Sequence, residues 1–498
     1  MIARRCLVLA MSLPLLGGLE RDAGAQGIRV AGTTGAQLLD LRRMADDSVA
    51  AISVVPIPGT TLAEAPDGSI VRCTPGSAWC RYRRPGDVAS TVPVLQDLQV
   101  AAWGFGTGIS AHAHVRARGA FGSVRELYPR AQDRLDVLSA YVELDRAALR
   151  ARLGRQWVPA AGFGLANYDG ASVEWRPRRE YALELFGGWS LAPGLNEPRT
   201  SAEIADVELL VPDDRGWVVG GALRARPLRP LALAMRWQRD IRTDRLELYA
   251  ERLAADATWR LGRGGIDATW VHDLGTGTTS EARLRARLPE WRMATLALEA
   301  RRFRPFFELW TIWGAFAPVG YTEARSILSW HGRGGFMERV GLDATAGRRT
   351  YDATEAGVAS AQLRDDGWRA GIDGTLRLTG AWSAEAGYLR EIGFGASRTD
   401  ERAGVRWEPA RRFSAGAHVA GFQTLLETRL GFVDVVGAGI DAAWRISPDV
   451  RVVGDVAAYR NRSSGGPPAD DWTQRRAALR IEWAAGADPG IAAQGGPR

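Results

Sequence analysis

Residues 280–288 read S-E-A-R-L-R-A-R-L, so that Ala282, Leu284, Ala286 and Leu288 alternate with Glu281, Arg283, Arg285 and Arg287. A helical period of 3.6 would scatter these charges around the axis. A strand, whose side chains alternate, gathers them on one face and leaves the other apolar. Residues 368–378 repeat the pattern, with Trp368, Ala370, Ile372, Leu376 and Leu378 set against Arg369, Asp373, Thr375 and Arg377. Further copies lie at 109–118, 149–157, 267–272, 450–460 and 477–483. One face of every strand is therefore apolar and the other is rich in arginine.

Such strands fit a soluble sandwich or a membrane barrel, and three features decide between them. The apolar faces are thin, built from Ala, Val, Leu and Gly, which lipid can cover but which would pack a poor protein core. The 19 tryptophans concentrate near inferred strand ends, among them Trp103, Trp157, Trp189, Trp217, Trp237, Trp291, Trp382, Trp407, Trp444 and Trp483, where an interfacial girdle belongs. Short turns such as 262–264 and 379–380 alternate with longer connections such as 119–134 and 303–318. Bacterial barrels alternate short periplasmic turns with longer outer loops in this way. The expected fold is all-β, a transmembrane antiparallel up-and-down β-barrel of about 22 strands, within roughly 20 to 24, the even number keeping both ends periplasmic.

The beginning of the chain fits export. MIARR is a short basic stretch, residues 7–19 are mostly apolar, and Ala23-Gly24-Ala25 offers small residues for cleavage. The expected division is a signal peptide over 1–25, a first strand with a long disulfide-containing loop or cap over 26–93, the barrel over 94–483, and a flexible tail over 484–498. No later window is apolar for the ~18 residues that a spanning helix needs. Export to an oxidising compartment makes Cys73 and Cys80 a local disulfide across the turn-forming Thr74-Pro75-Gly76-Ser77. The expected location is the outer membrane of a diderm bacterium.

All 64 basic residues are arginine and the formal net charge is +7. In an exported chain that charge does not indicate nucleic acid. The candidate pore-lining residues are Arg116, Arg118, Arg150, Arg152, Arg283, Arg285, Arg287, Arg476 and Arg480. Two readings of them stay open. They can concentrate anions and bind carboxylate or phosphate oxygens in bidentate fashion. They can equally be the polar filling of a wet interior, paired with Glu143, Asp267, Glu281, Asp373, Glu385, Asp455 and Glu482.

Residues 304–318 are too aromatic for an ordinary outer loop. If folded inward, Phe306, Phe307, Trp310, Trp313 and Phe316 would form a constriction or stacking platform. His112 and His114 share a strand face but lack a third ligand at a recognisable spacing, so neither a metal nor any cofactor is expected. The remaining histidines, His272, His331 and His418, are isolated, and no catalytic constellation points to an enzyme.

Residues 152–157 (R-L-G-R-Q-W), followed by Gly162 and Gly164, Asn167-Tyr168-Asp169-Gly170 and Ala171-Ser172-Val173, resemble porin-like outer-membrane families. Alginate-export-type and phosphate-selective-type barrels are similar in having a strand that ends in Gly-Arg-Gln before a glycine-rich outer loop. The resemblance implies a membrane barrel. It transfers no ligand residue beyond the match of Arg155 to the Gly-Arg-Gln position, and strand register points Arg155 at lipid. Trp483 departs from the family pattern, being followed by a Gly/Ala/Pro-rich tail rather than closing the chain.

Two functions follow as expectations. One is a porin-like channel for passive or facilitated diffusion of small polar or anionic solutes. The alternative is a non-conducting structural or assembly barrel with an occluded lumen. The partners that fit are outer-membrane lipid, small polar or anionic solutes, a second copy of the chain, or a surface or periplasmic protein.

Overall fold

The computed structural model describes residues 27–57, 62–66, 70–74, 76–122, 135–160, 164–190, 216–242, 248–304, 320–352, 366–393, 396–426, 431–464 and 471–486. The expected signal peptide and most of the expected tail lie outside these residues. The wall begins with β1 (Gly27–Ala50), β5 (Trp79–Trp103), β6 (Ile109–Gly122), β7 (Leu135–Asp145), β8 (Leu149–Ala160), β9 (Gly164–Arg178) and β10 (Tyr181–Ser190). It continues through β11 (Gly216–Leu228), β12 (Leu231–Arg242), β13 (Leu248–Leu261), β14 (Gly264–Asp273), β15 (Thr278–Arg287), β16 (Ala294–Phe303), β17 (Tyr321–His331) and β18 (Val340–Tyr351). It ends with β19 (Asp366–Arg377), β20 (Trp382–Gly393), β21 (Ala396–Ala410), β22 (Phe413–Leu426), β23 (Gly431–Ser447), β24 (Val450–Ser464) and β25 (Trp472–Gly486). Three short strands, β2 (Val55–Pro56), β3 (Leu62–Glu64) and β4 (Ile70–Cys73), lie between β1 and β5.

Each wall strand pairs antiparallel with its neighbours in sequence, and β1 pairs with β25 from Arg29↔Gly486 to Leu39↔Arg476, closing a 22-strand barrel. Closure leaves no free edge, which a sheet surrounded by lipid requires. Short turns such as 179–180, 229–230, 262–263 and 411–412 lie at one end of the barrel, together with both ends of the wall. The strand ends joined by longer connections, such as Ala50 and Trp79, Gly122 and Leu135, and Phe303 and Tyr321, lie at the other.

The exterior carries the membrane signature. Outward residues such as Leu153, Leu185, Leu223, Leu284, Leu298, Ile372, Val419, Ile440 and Leu479 are exposed. Near the short turns, Trp175, Trp259, Trp382, Trp407 and Trp444 are exposed on the same face. Near the opposite rim, Trp189 packs edge-on against Trp217, with ring centroids 5.1 Å apart, and Trp368 of β19 is exposed on the outward face elsewhere along the same rim. Among the described residues no outward-facing wall position below the upper rim carries Arg, Asp or Glu. Charge reappears at that rim as Arg155, Arg239, Arg302, Arg348, Arg390, Arg460 and Arg475, interleaved with Asp169, Glu251, Asp352, Asp366, Glu401, Asp434 and Asp40. The uncharged band is about eight residues tall, and a tilted strand climbs ~2.5 Å per residue, giving about 20–25 Å, the height of an outer-membrane barrel's apolar belt.

The first loop departs from its expected boundary at residue 93. β1 leaves β25 after Leu39 and β5 leaves β6 beyond Thr91, but the two strands stay paired up to Ala50↔Trp79. They form a two-stranded ribbon that projects past the wall by roughly ten residue pairs, about 30 Å at ~3.3 Å per residue. At its tip, β2–β4 pack a small core of Ala63, Ala65, Val71 and Cys80, and the Cys73–Cys80 disulfide is formed as expected. Several other strands also run further outward than their alternation suggested: β6 reaches Gly122 and β25 begins at Trp472.

Candidate functional site

The inward faces line the lumen, and their charges come from alternate positions of nearly every strand. On β5 and β6, Asp97 accepts from Arg116 Nε at 2.8 Å and lies 3.2 Å from His114 Nε2. Arg118 pairs with Asp136 of β7 at 2.6 Å. Arg150 and Arg152 of β8 donate to Asp145 (2.7 Å) and Glu143 (2.5 Å) of β7. The network runs on through Arg176 with Asp145, Arg224 with Glu174 at 2.6 Å and with Glu184, and Arg236 with Asp256 at 3.1 Å. Carboxylates and guanidiniums from neighbouring strands interleave along this part of the wall, and like-charged pairs such as Glu174↔Glu184 are bridged by an arginine, Arg224.

A second network joins β17 to β20. Glu323, only 3% exposed, lies 3.4 Å from Arg349 and 3.5 Å from Arg369, and both arginines also engage Glu391, Arg369 at 2.9 Å. Beside it an aromatic ladder closes on arginine. Phe303, Tyr321 and Tyr351 follow one another with centroids 5.5 and 5.8 Å apart, Arg301 sits 4.5 Å over Phe303, and Arg349 sits 4.9 Å over Tyr321. These residues were missed as candidates because they come from five separate strands. The available signal was the placement of Tyr321 and Tyr351 on the charged parity of their strands.

The predicted arginines therefore divide. Arg116, Arg118, Arg150, Arg152 and Arg480 are all ion-paired, Arg480 with Glu482 at 2.9 Å. Arg476 donates to Gln474 at 3.0 Å and lies 5.2 Å over Tyr459. The row on β15 differs. Among the described residues, Arg283, Arg285 and Arg287 take part in no ion pair. Arg283 donates only to Thr269 Oγ1 of β14, at 3.2 Å, and Arg285 Nε is buried without a partner. The carboxylates around the row are engaged elsewhere: Glu281 with Arg301 (3.1 Å), Glu299 with Arg325 (2.8 Å), and Asp267 with the Thr258 hydroxyl (3.0 Å). The row thus stands outside any ion pair, with Asp267, held only by a hydroxyl, directly across from Arg285.

His112 stacks on Tyr141 with centroids 5.0 Å apart and contacts the Ser110 hydroxyl at 3.0 Å, so it and His114 are built into the lining. His272 faces outward, stacked on Trp270. No group of three or more potential metal ligands occurs among the described residues. Phe306, Phe307, Trp310, Trp313 and Phe316 lie outside the described residues. Trp103, expected in the interfacial girdle, instead faces inward over Gly27, where an added Cβ would meet its ring at 2.5 Å.

The lumen wall is unevenly exposed. In the outer half of β8–β14, inward-facing Gln156, Val158, Tyr168, Val218, Arg252 and Asp273 are all at most 4% exposed. Across the barrel, the side chains of inward-facing Arg402, Arg406 and Arg480 are 65%, 47% and 51% exposed. Water therefore reaches the lining along β21–β25 and at the β15 row more than along β8–β14. Arg155, by contrast, faces outward as its register implied. It donates to both oxygens of Asp169 (2.6 and 2.9 Å) and to the Val137 carbonyl (2.9 Å).

No protein-family model and no curated protein matches this chain. Among solved structures, the siderophore receptor PirA from Pseudomonas aeruginosa is similar at 11% identity and TM-score 0.44, over 94% of this chain and 81% of that one. A ferric enterobactin receptor from the same organism is similar at 10% identity and TM-score 0.48, over 93% and 82%. OccAB1 from Acinetobacter baumannii is similar at 8% identity and TM-score 0.39, over 94% and 99%.

Proposed function

We propose that the chain is an outer-membrane channel of a diderm bacterium through which small polar solutes diffuse, with a preference for anions. The observation that carries this reading is the β15 row. In a closed barrel whose other predicted arginines are mostly ion-paired, Arg283, Arg285 and Arg287 face the lumen outside any ion pair, three guanidiniums against the one carboxylate beside them that no arginine neutralises, Asp267. A basic surface in a confined aqueous path raises the local anion concentration and favours anion passage.

The test is conductance of the refolded barrel in a planar bilayer under a salt gradient. Discrete openings whose reversal potential has the sign of anion preference are expected. Arg283→Glu with Arg285→Glu should lower or invert that preference while leaving conductance of the same order. Openings without charge preference would remove the arginine row from the mechanism.

A second reading, a structural or assembly barrel with an occluded lumen, is favoured by the burial of the inward wall along the outer half of β8–β14. It requires a folded barrel that stays electrically silent and retains one stoichiometric periplasmic or surface protein through purification.

A further inference from the structure

The short-turn end of the barrel carries a charge pattern that the lumen does not explain. From β9–β10 to β21–β22 every short turn except β19–β20 (residues 378–381) contains arginine, with doublets at Arg178-Arg179 and Arg411-Arg412 and with Arg260 and Arg263 across the β13–β14 turn. All six of these side chains are exposed, and none takes part in an ion pair among the described residues. Carboxylates are sparse at this end: Glu180, Glu290, Glu338, Glu408 and Asp449 stand against a larger number of arginines. The opposite rim is balanced, as the alternation of Arg302 with Asp352 (2.6 Å) and Arg475 with Asp40 (2.6 Å) illustrates. The excess of positive charge is therefore concentrated at one end of the barrel.

The position of this ring limits what it can meet. The exposed outward tryptophans Trp175, Trp259 and Trp407 each precede a turn arginine, Arg179, Arg263 and Arg411, by four residues, ~10 Å along a tilted strand, and Trp382 and Trp444 are exposed at the same end of the wall. Tryptophan girdles mark the boundary between hydrocarbon and headgroup. An arginine one turn beyond that boundary has its guanidinium at headgroup depth, beside lipid phosphates, which its planar fork binds in bidentate fashion.

We infer that this ring binds the phosphates of anionic phospholipids in the periplasmic leaflet, gathering them around the barrel. The inference rests on the membrane-spanning reading and on the short turns facing the periplasm. It does not depend on whether the lumen conducts. The ring also accounts for the chain's basic balance without invoking nucleic acid.

The girdle tryptophans supply the readout. The full barrel is reconstituted into bilayers containing either phosphatidylglycerol or phosphatidylcholine brominated on the acyl chains, at equal mole fraction, and tryptophan quenching is recorded. Brominated phosphatidylglycerol should associate more strongly. The expected preference is about five-fold for each effective arginine–phosphate contact, which is ~1 kcal/mol on a scale of 1.4 kcal/mol per decade. The preference should shrink in high salt, because these charges are exposed. It should also shrink in the combined variant Arg178→Gln, Arg179→Gln, Arg411→Gln and Arg412→Gln, and return when the same positions carry Lys.

Equal quenching by the two lipids would overturn the inference while leaving the membrane barrel intact. A preference that survives the glutamine variant would also overturn it, by placing the lipid contact elsewhere. Quenching by neither lipid would overturn the membrane-spanning reading itself. A ring that ignores lipid but retains a soluble polyglutamate in a pull-down would reassign it to an acidic periplasmic polymer.

Discussion

At the scale of single residues, Arg155 shows how the wall is held where backbone pairing stops. β7 and β8 pair only from Ala140↔Arg155 to Asp145↔Arg150, the shortest ladder in the wall. Gly154 sits beside it at a φ of +127°, where an added Cβ would meet the Ala140 carbonyl at 2.3 Å. Above that point the Arg155 guanidinium joins Asp169 of β9 to the Val137 carbonyl of β7, doing across three strands what ladder hydrogen bonds do elsewhere. Replacing it with Met should cost about 2 kcal/mol, because charge-assisted hydrogen bonds are lost and Asp169 keeps its charge. Arg155→Lys should recover only part of that, since a point charge cannot reproduce the fork. The urea midpoint for unfolding from lipid vesicles measures both, and an unchanged midpoint for the Met variant would mean that the backbone alone holds this seam.

At the scale of elements, the β1–β5 ribbon is separable from the wall in a way the other strand pairs are not. Beyond Asp40 and Ser90 each of its strands has a neighbour on only one side until β4 joins β5 at the tip, and at that exit Arg475 Nε and the Ser90 hydroxyl both donate to the buried Asp40 carboxylate, at 2.6 and 2.5 Å. Above this three-strand clamp, order depends on the β1–β5 ladder and on the disulfide-stapled tip. Cys73→Ser with Cys80→Ser should destabilise the tip by about 2 kcal/mol, the loop-closure value for so short a ring. Limited proteolysis should then cut within 51–78 while the barrel fragment and its conductance stay intact. Loss of the whole barrel would mean that the tip supports closure of the β1–β25 seam. The alternation in the sequence located the strands inside the belt but ended them too early. Strand tops that leave the lipid no longer need an apolar face, so β6 and β25 continue outward without the period that reveals them.

At the scale of the whole molecule, the same alternation sorts substitutions by face. Leu298 of β16 faces lipid in the middle of the uncharged band, and Leu298→Arg should cost ~2–4 kcal/mol. Thr375 of β19 is exposed on the inward face, and Thr375→Arg should stay within about 0.5 kcal/mol. Folding into vesicles at graded urea measures the pair, and equal costs would contradict the inside-out arrangement. The exposed interior also explains why the paired arginines are not a stability ledger. Most of these ion pairs are solvated on at least one side, where each contributes little singly and together they set the register of neighbouring strands.

The sequence by itself determined the architecture. Period-two alternation, thin apolar faces, tryptophan near strand ends and the short-long rhythm of connections are local properties, and each is imposed by contact with lipid on one side and water on the other. It also determined the parity of the candidate arginines, which all fall on the inward face, and the pairing of Cys73 with Cys80. Only the tertiary structure decided which of those arginines carry free charge. Ion pairing is settled by which strand lies alongside and at what register, so Arg152 is neutralised by Glu143 of the preceding strand, whereas Arg285, with Glu299 and Asp267 directly across from it, finds both engaged elsewhere. The arginines of the short-turn end were likewise present in the sequence as scattered turn residues, but only closure of the wall brings turns hundreds of residues apart to one end of the barrel.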